Sequence, residues 1–373
     1  LKSKNIDIDA LPDEARKALS QFTEFEIGSF NDSGANGYVM IGHHKVLKKN
    51  VAIKIYFHDE GEVDQEPSLV AGIHHDNVLK VYDARKVEAS CSYYMMPAAN
   101  EGDLATFLSE YYISSSLAHK LLCQLLAGLA ALHAPSTRLV HRDLKPENLL
   151  VHDDTLFIAD FGSVRKIGEH TTKAPASKHS ILYRPPEAFG DNGFFDFSSD
   201  VYQAGIVGYL LFGGALSNDL LSYMTDKERK AFAEIKKTGG SYEEACFVDS
   251  CIESRIKKAT LLDWNSMPCF LPSPLIRAIK RAVKPHGKRY SSVSEFLAEL
   301  AKARNNLPEW MDTDEGCLLE NWKGNDYLLC EEYGQTIVKK RRTGKMDFRR
   351  DNGISPGALR DVFNALRNKL ELP

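Results

Sequence analysis

One eight-residue string constrains this 373-residue chain more than any other feature. It reads His141-Arg142-Asp143-Leu144-Lys145-Pro146-Glu147-Asn148, and twelve residues after Asn148 comes Asp160-Phe161-Gly162. Between them lie two short apolar runs, 149–151 and 156–159, joined by His152-Asp153-Asp154. Short apolar runs around a polar turn predict a β-hairpin. Asp160 is therefore expected at a strand end, tied through that hairpin to the loop that ends in Asn148. Such a loop gathers a carboxylate, a cation and oxygen ligands, the set that phosphoryl transfer needs near an attacking hydroxyl, a γ-phosphate and Mg²⁺. A lone D-F-G triplet is a common accident; the pair at this spacing is specific.

The surrounding pattern has two characters. From about 25 to 83 it is strand-like: Val51, Ile53 and Ile55 alternate with Ala52, Lys54 and Tyr56. From about 103 helices dominate, and Leu117, Leu121, Leu122, Leu125, Leu126, Leu129 and Leu132 predict one helix buried on a wide face. A polar segment, 1–24, precedes the strands. It is expected to hold a helix with Pro12 at its first position and Ala15, Ala18, Leu19 and Phe22 on its apolar face. A composition shift at Asn305-Asn306-Leu307-Pro308 marks a boundary. Beyond it, 309–373 reads as a small domain with strands at 317–323, 327–333, 336–342 and 346–350. A helix should follow, with Ser355 as its cap and Pro356 at its first position.

With these elements in place, the chain resembles the eukaryotic-type (Hanks-type) Ser/Thr protein kinases over roughly residues 25–304. The resemblance implies an α+β, bilobal protein-kinase fold, with a small β-rich N-lobe, a helical C-lobe and ATP in the cleft; the small α+β C-terminal domain is additional. It implies that Asp143 is the catalytic base, that Lys145 neutralises charge on the γ-phosphate, and that Asn148 and Asp160 hold Mg²⁺. Val51-Ala52-Ile53-Lys54 resembles the V-A-I-K strand, so Lys54 would bind the α- and β-phosphates and Ala52 would contact adenine. Gly34, Gly37 and Val39 match the glycine-rich G-x-G-x-x-G-x-V loop, with Asp32 standing where the family has its first glycine. Glu66 is the expected partner of Lys54, although it lies only twelve residues on and is followed by Pro67, a residue disfavoured inside a helix. By the same alignment Met96 is the gatekeeper, Ala98 belongs to the hinge, Asp103 reaches the ribose, and Leu150 forms the floor under adenine. Tyr183-Arg184-Pro185-Pro186-Glu187 resembles the A-P-E segment, with Glu187 expected to pair with Arg289. Asp200 should anchor the catalytic loop.

Within the family that the chain resembles, a lysine at the place of Lys145, two residues after the expected base, implies Ser/Thr over Tyr specificity. Arg142 should receive a phosphate from the 163–180 segment, so autophosphorylation is expected at Thr171 or Thr172, with Ser177 a further hydroxyl in the segment and Ser180 near the base. The expected function is thus ATP-dependent phosphorylation of protein hydroxyls. Two other uses of the motifs are a pseudokinase or scaffold whose C-terminal domain binds a partner, and a small-molecule phosphotransferase. The Glu187/Arg289 pairing speaks against the last.

Composition bounds the partners. The net charge is −4, so no global basic field calls for nucleic acid or anionic lipid. Locally, Lys339-Lys340-Arg341-Arg342 with Lys345, Arg349 and Arg350 makes seven basic residues in twelve, a hairpin that could meet nucleic acid. From Asn305 onward, however, eleven basic residues face twelve acidic ones, and a solvated face is the expectation. Self-association through this domain is a further expectation. The seven cysteines form no C-x-x-C pair, which suits a reducing, cytoplasmic compartment. The longest apolar run read from the sequence, 204–216, is too short to cross a membrane, and no membrane partner is expected.

Overall fold

The computed structural model describes residues 6–32, 37–57, 72–88, 90–168, 173–175, 180–304 and 307–372. It comprises two compact units, Leu1–Phe107 with Glu147–Val164, and Leu108–Pro146 with Arg165–Pro373.

The first unit is β-rich. Helix α1 (Asp13–Ser20) precedes strands β1 (Phe25–Asn31), β2 (Gly37–His44), β3 (Lys49–Phe57), β4 (Asp83–Glu88) and β5 (Cys91–Pro97). The strands form an antiparallel sheet in the order β1-β2-β3-β5-β4. Alternation in β3 sends Val51, Ile53 and Ile55 to one face, where they meet Leu11, Ala15 and Ala18 of the N-terminal segment. That segment is thus part of this unit's core. Pro12 stands one position earlier than expected, at the N-cap, because its ψ of 151° is extended. The hairpin of β7 (Leu149–His152) and β8 (Thr155–Ile158) belongs to the same unit. Its turn residues Asp153 and Asp154 both have positive φ, as a tight two-residue hairpin requires.

Helix α2 (Leu104–Glu110) carries the chain into the second unit, which is mainly helical: α3 (Ser115–His133), α4 (Phe197–Leu211), α5 (Asp226–Thr238), α6 (Ser241–Lys257), α7 (Ser273–Ala282) and α8 (Val293–Ala303). Short strands β6 (Leu139–Val140) with β9 (Arg165–Lys166), and β10 (Ala174–Pro175) with β11 (Phe194–Phe195), brace its loops. Helix α3 is capped by Ser114 and buries Leu121, Leu122, Leu125, Leu126, Leu129 and Leu132. By length and composition it is the one described helix that could cross a membrane; here its apolar face is spent on the core of the unit. It is a longer apolar segment than the 204–216 run singled out in the sequence.

The C-terminal appendage lies within this unit. Strands β12 (Trp310–Thr313), β13 (Gly316–Trp322), β14 (Asn325–Glu332), β15 (Gln335–Arg342) and β16 (Arg349–Arg350) make an antiparallel sheet in that order, and α9 (Leu359–Leu370) packs on it. The turns Lys323-Gly324 and Tyr333-Gly334 have positive φ at both positions. Three expectations need correction. The strand expected at 346–350 narrows to Arg349–Arg350. Strand β12 was not anticipated, and α9 starts at Leu359 with Ala358 as its cap, not at Ser355. The reason is that Gly357 is held extended: its backbone exchanges two hydrogen bonds with Thr336, of 2.9 and 3.2 Å. Strand β12 is what docks the appendage. Trp310 stacks on Phe270 with centroids 5.2 Å apart and meets Phe363 edge-on at 5.7 Å. Ser115 Oγ donates to the Trp310 carbonyl, and the Ser114 and Ser116 hydroxyls donate to Glu309.

Candidate active site

In the β-rich unit, strand register gathers the predicted nucleotide residues. Ala52 lies opposite Met96, and Lys54 lies opposite both Tyr94 and Val39. Directly opposed residues share a face. Val39, Ala52, Lys54 and Met96 therefore line the side of the sheet away from the α1 core. Gly37 has φ 152°, and a Cβ there would sit 1.9 Å from the Ile55 carbonyl oxygen. The structure thus gives a steric reason for this glycine, since β2 can close on β3 only without a side chain. Ala98 is buried just past β5.

Lys54 Nζ donates to Asp160 Oδ1 at 2.9 Å, across 106 residues of sequence. Asp160 has φ 55°, a left-handed conformation that costs a non-glycine residue energy and so tends to be retained for a purpose. The hairpin that carries Asp160 is fixed on both sides. Asn77 Nδ2 donates to the Leu156 carbonyl, the Ile158 amide donates to Asn77, and the Ala159 amide donates to the backbone of buried Asn148. Leu150 bridges to Asp103. The Asp103 carboxylate accepts from the Thr106 amide at 2.8 Å and so caps α2, an occupation that the sequence reading had not assigned to it. Gly34 and Glu66, with Pro67, lie outside the described residues, as do Thr171, Thr172 and Ser177.

In the helical unit, the catalytic-loop string is pinned to α4. Asp200 is fully buried; its carboxylate accepts from the His141 amide at 2.8 Å and the Arg142 amide at 3.0 Å, and His133 Nε2 lies 2.8 Å away. Gln203 completes the clamp: its Oε1 accepts from the Leu144 amide, and its Nε2 donates to the carbonyls of Arg142 and Tyr183. Sequence reasoning missed Gln203. Its signal was available, because it stands three residues after Asp200, on the same face of the same helix. Asp143 is buried, and Lys145 Nζ lies 3.7 Å from its Oδ2. Arg142 has φ 73°. Burial, aided by the nearby Arg165 charge, holds its guanidinium below the usual arginine range.

The expected Glu187–Arg289 pair is present and bidentate, with contacts of 2.9 and 2.6 Å and both side chains buried. Ser199 Oγ donates to the same carboxylate at 2.8 Å. Ser180 precedes the short turn Ile181–Tyr183 that leads into this segment.

The family model described as protein kinase domain matches residues 26–259, well over half of the chain. The chain belongs to the protein kinase family. Relatives include the calcium-dependent protein kinase 6 of Plasmodium berghei, 30% identical over 176 residues, which cover 46% of this chain and 11% of that one. The probable serine/threonine-protein kinase MARK-C of Dictyostelium discoideum is 23% identical over 298 residues, 77% of this chain and 34% of the relative. The serine/threonine-protein kinase stk11 of Xenopus laevis is 31% identical over 210 residues, 54% and 46% respectively. This kinase chain thus spans less than half the length of each of these relatives. The appendage lies beyond the family match. In its basic segment, Lys339 pairs with Glu332, and Arg341 pairs with buried Asp326. Lys340, Arg342, Lys345, Arg349 and Arg350 are exposed.

Proposed function

We propose that this chain is an ATP- and Mg²⁺-dependent protein kinase acting on Ser/Thr hydroxyls of protein substrates, with Asp143 as the base. The observation that carries this reading is the Lys54–Asp160 contact, a largely buried cation and a carboxylate on left-handed backbone held together from distant parts of the chain. The donor set suits the cofactor. The Asp160 carboxylate and the Asn148 amide oxygen are the hard oxygen ligands that Mg²⁺ selects, and these two residues would hold it. When bound, the metal offsets charge on the nucleotide phosphates. Lys54 supplies a cation to the α- and β-phosphates; Val39, Ala52, Met96 and Leu150 offer apolar contact to the base. Asp143 orients the acceptor hydroxyl and takes its proton, while Lys145 neutralises charge that builds up during transfer. Asp200 and Gln203 keep the loop from shifting, which matters because misplacement by about 1 Å can cost about 100-fold in rate. The Ser/Thr preference is supported by Lys145 and by the serine/threonine-protein kinase names of the relatives.

Autophosphorylation at Thr171 or Thr172 extends the reading. Arg142 feels the charge of Arg165, and two cations in one region would draw a phosphate on the segment. The test is transfer from radiolabelled ATP to a generic protein acceptor, with mass spectrometry of the 163–180 segment. Wild type should label the acceptor and its own segment, and Asp143→Ala should lose about a thousandfold in rate. Equal transfer by the two proteins refutes the assignment of the base.

A further inference from the structure

A cavity of about 370 Å³ lies inside the helical unit, where the appendage meets the helices. Its walls are apolar and come from several elements: Leu108 from α2, Leu211 and Phe212 at the end of α4, Phe270 from the loop before α7, and Trp310 from β12. Pockets that enclose small organic ligands run from about 300 to 1,000 Å³, and an apolar void of about 150 Å³ already admits benzene. The volume therefore suits a ring with a short aliphatic chain.

The polar groups select among such ligands. Only one lining residue is charged, the acidic Asp312, and none is basic. Asp312 is exposed at β12. Tyr111 and Tyr112 also line the cavity, and each is about half exposed, at 49% and 53%. The Tyr112 hydroxyl hydrogen-bonds Asp314, a second carboxylate on the appendage side. Aromatic faces beside a carboxylate attract a cation and repel an anion. The two serines in the lining do not alter this balance, because their hydroxyls are committed to Glu309 and to the Trp310 carbonyl.

We propose that this cavity binds a small molecule with an apolar, ring-bearing body and a protonated amine, the body against Phe270 and Trp310 and the amine at Asp312. None of the phosphotransfer residues lines this cavity. Because β12 forms one wall, a ligand bound here contacts appendage and helices at once and stabilises their attachment.

The test uses the full chain and three probes that share one body: phenylbutylamine, phenylbutanol and phenylbutyrate. Calorimetry should give the amine an affinity about fivefold above the alcohol, the gain expected of a partly exposed ion pair, with the carboxylate weakest. Asp312→Asn, a near-isosteric change at an exposed site, should erase the advantage of the amine and leave the alcohol unchanged. Leu108→Trp, which fills the space, should remove binding of all three. The proposal is overturned if none of the probes binds, if the carboxylate binds as well as the amine, or if Asp312→Asn keeps the preference. It is equally overturned if a folded Leu108→Trp protein still binds. Should that variant not fold, the Asp312→Asn comparison decides alone.

Discussion

Replacing Arg289 by methionine should destabilise the helical unit by about 3–5 kcal/mol, the cost of leaving one member of a buried ion pair alone. The arginine side chain is 0% exposed and that of Glu187 5%. Arg289 makes two bonds to Glu187, one to the Ser198 carbonyl at 3.1 Å and one to the Lys284 carbonyl at 2.8 Å. The substitution takes both donors from Glu187 and one from each carbonyl. The carboxylate keeps only the Ser199 hydroxyl among the bonds described above, too little to offset the burial of a full charge. At about 2–4 °C per kcal/mol for a unit of this size, the midpoint should fall by about 6–20 °C. Thermal unfolding followed by circular dichroism measures this. The double variant Glu187→Met/Arg289→Met is the discriminating arm. It removes both charges, and methionine pairs of similar bulk often cost little or nothing. It should therefore recover most of the loss of the single variant. If Arg289→Met costs less than about 1 kcal/mol, the buried-charge argument fails; if the double variant is as unstable as the sum of the singles, the effect is packing and not charge.

Asp200→Asn leaves one oxygen where two backbone amides need acceptors, so about 1–3 kcal/mol of stability should be lost. Steady-state kinetics should show a lower kcat with the KM for ATP retained. Glu228 accepts from both Arg255 and Thr225, and its pKa is lowered from 4.5 to about 2, chiefly by the Arg255 hydrogen bond. A depressed carboxylate pKa contributes stability that is present above about pH 4.5 and lost as pH falls through about 2. The contribution is about 1 kcal/mol for a pair this near solvent, so Glu228→Gln should flatten the acid limb of a melting-temperature profile. Trp310→Ala should cost about 3–5 kcal/mol and raise protease sensitivity in the appendage before the helices unfold, as limited proteolysis would show.

Long-range chemistry was legible in the sequence wherever it required unusual residues at set positions. The structure brings Lys54 to Asp160, seats Asp200 under the His141 and Arg142 amides, and pairs Glu187 with Arg289. The hairpins at Lys323-Gly324 and Tyr333-Gly334 were legible through their turns. Strand β12 was not, because four residues, Trp-Met-Asp-Thr, are too few to show an alternation. Nor was the true start of α9, because Ser355-Pro356 is a good helix opening in isolation. The competing pairing of Gly357 with Thr336 is set by a strand residue twenty-one positions earlier and leaves no local trace. Asp103 was read as a ribose contact, yet an aspartate before a helix is equally a cap, and the structure uses it as one.

Helix α3 links the appendage to the catalytic loop. At its N-terminus, Ser114, Ser115 and Ser116 receive β12 and Glu309. One turn further on, His119 Nε2 lies 2.9 Å from the Leu300 carbonyl of α8. At its last residue, His133 reaches the Asp200 carboxylate that holds the backbone of His141 and Arg142. The nineteen residues span about 28 Å at 1.5 Å each. A helix buried along that length by six leucines bends little, because any bend would open voids in a close-packed core. The appendage is therefore built into the support of the catalytic loop and does not hang from its end. Whatever loosens Trp310 acts on a rigid element whose far end carries a partner of Asp200.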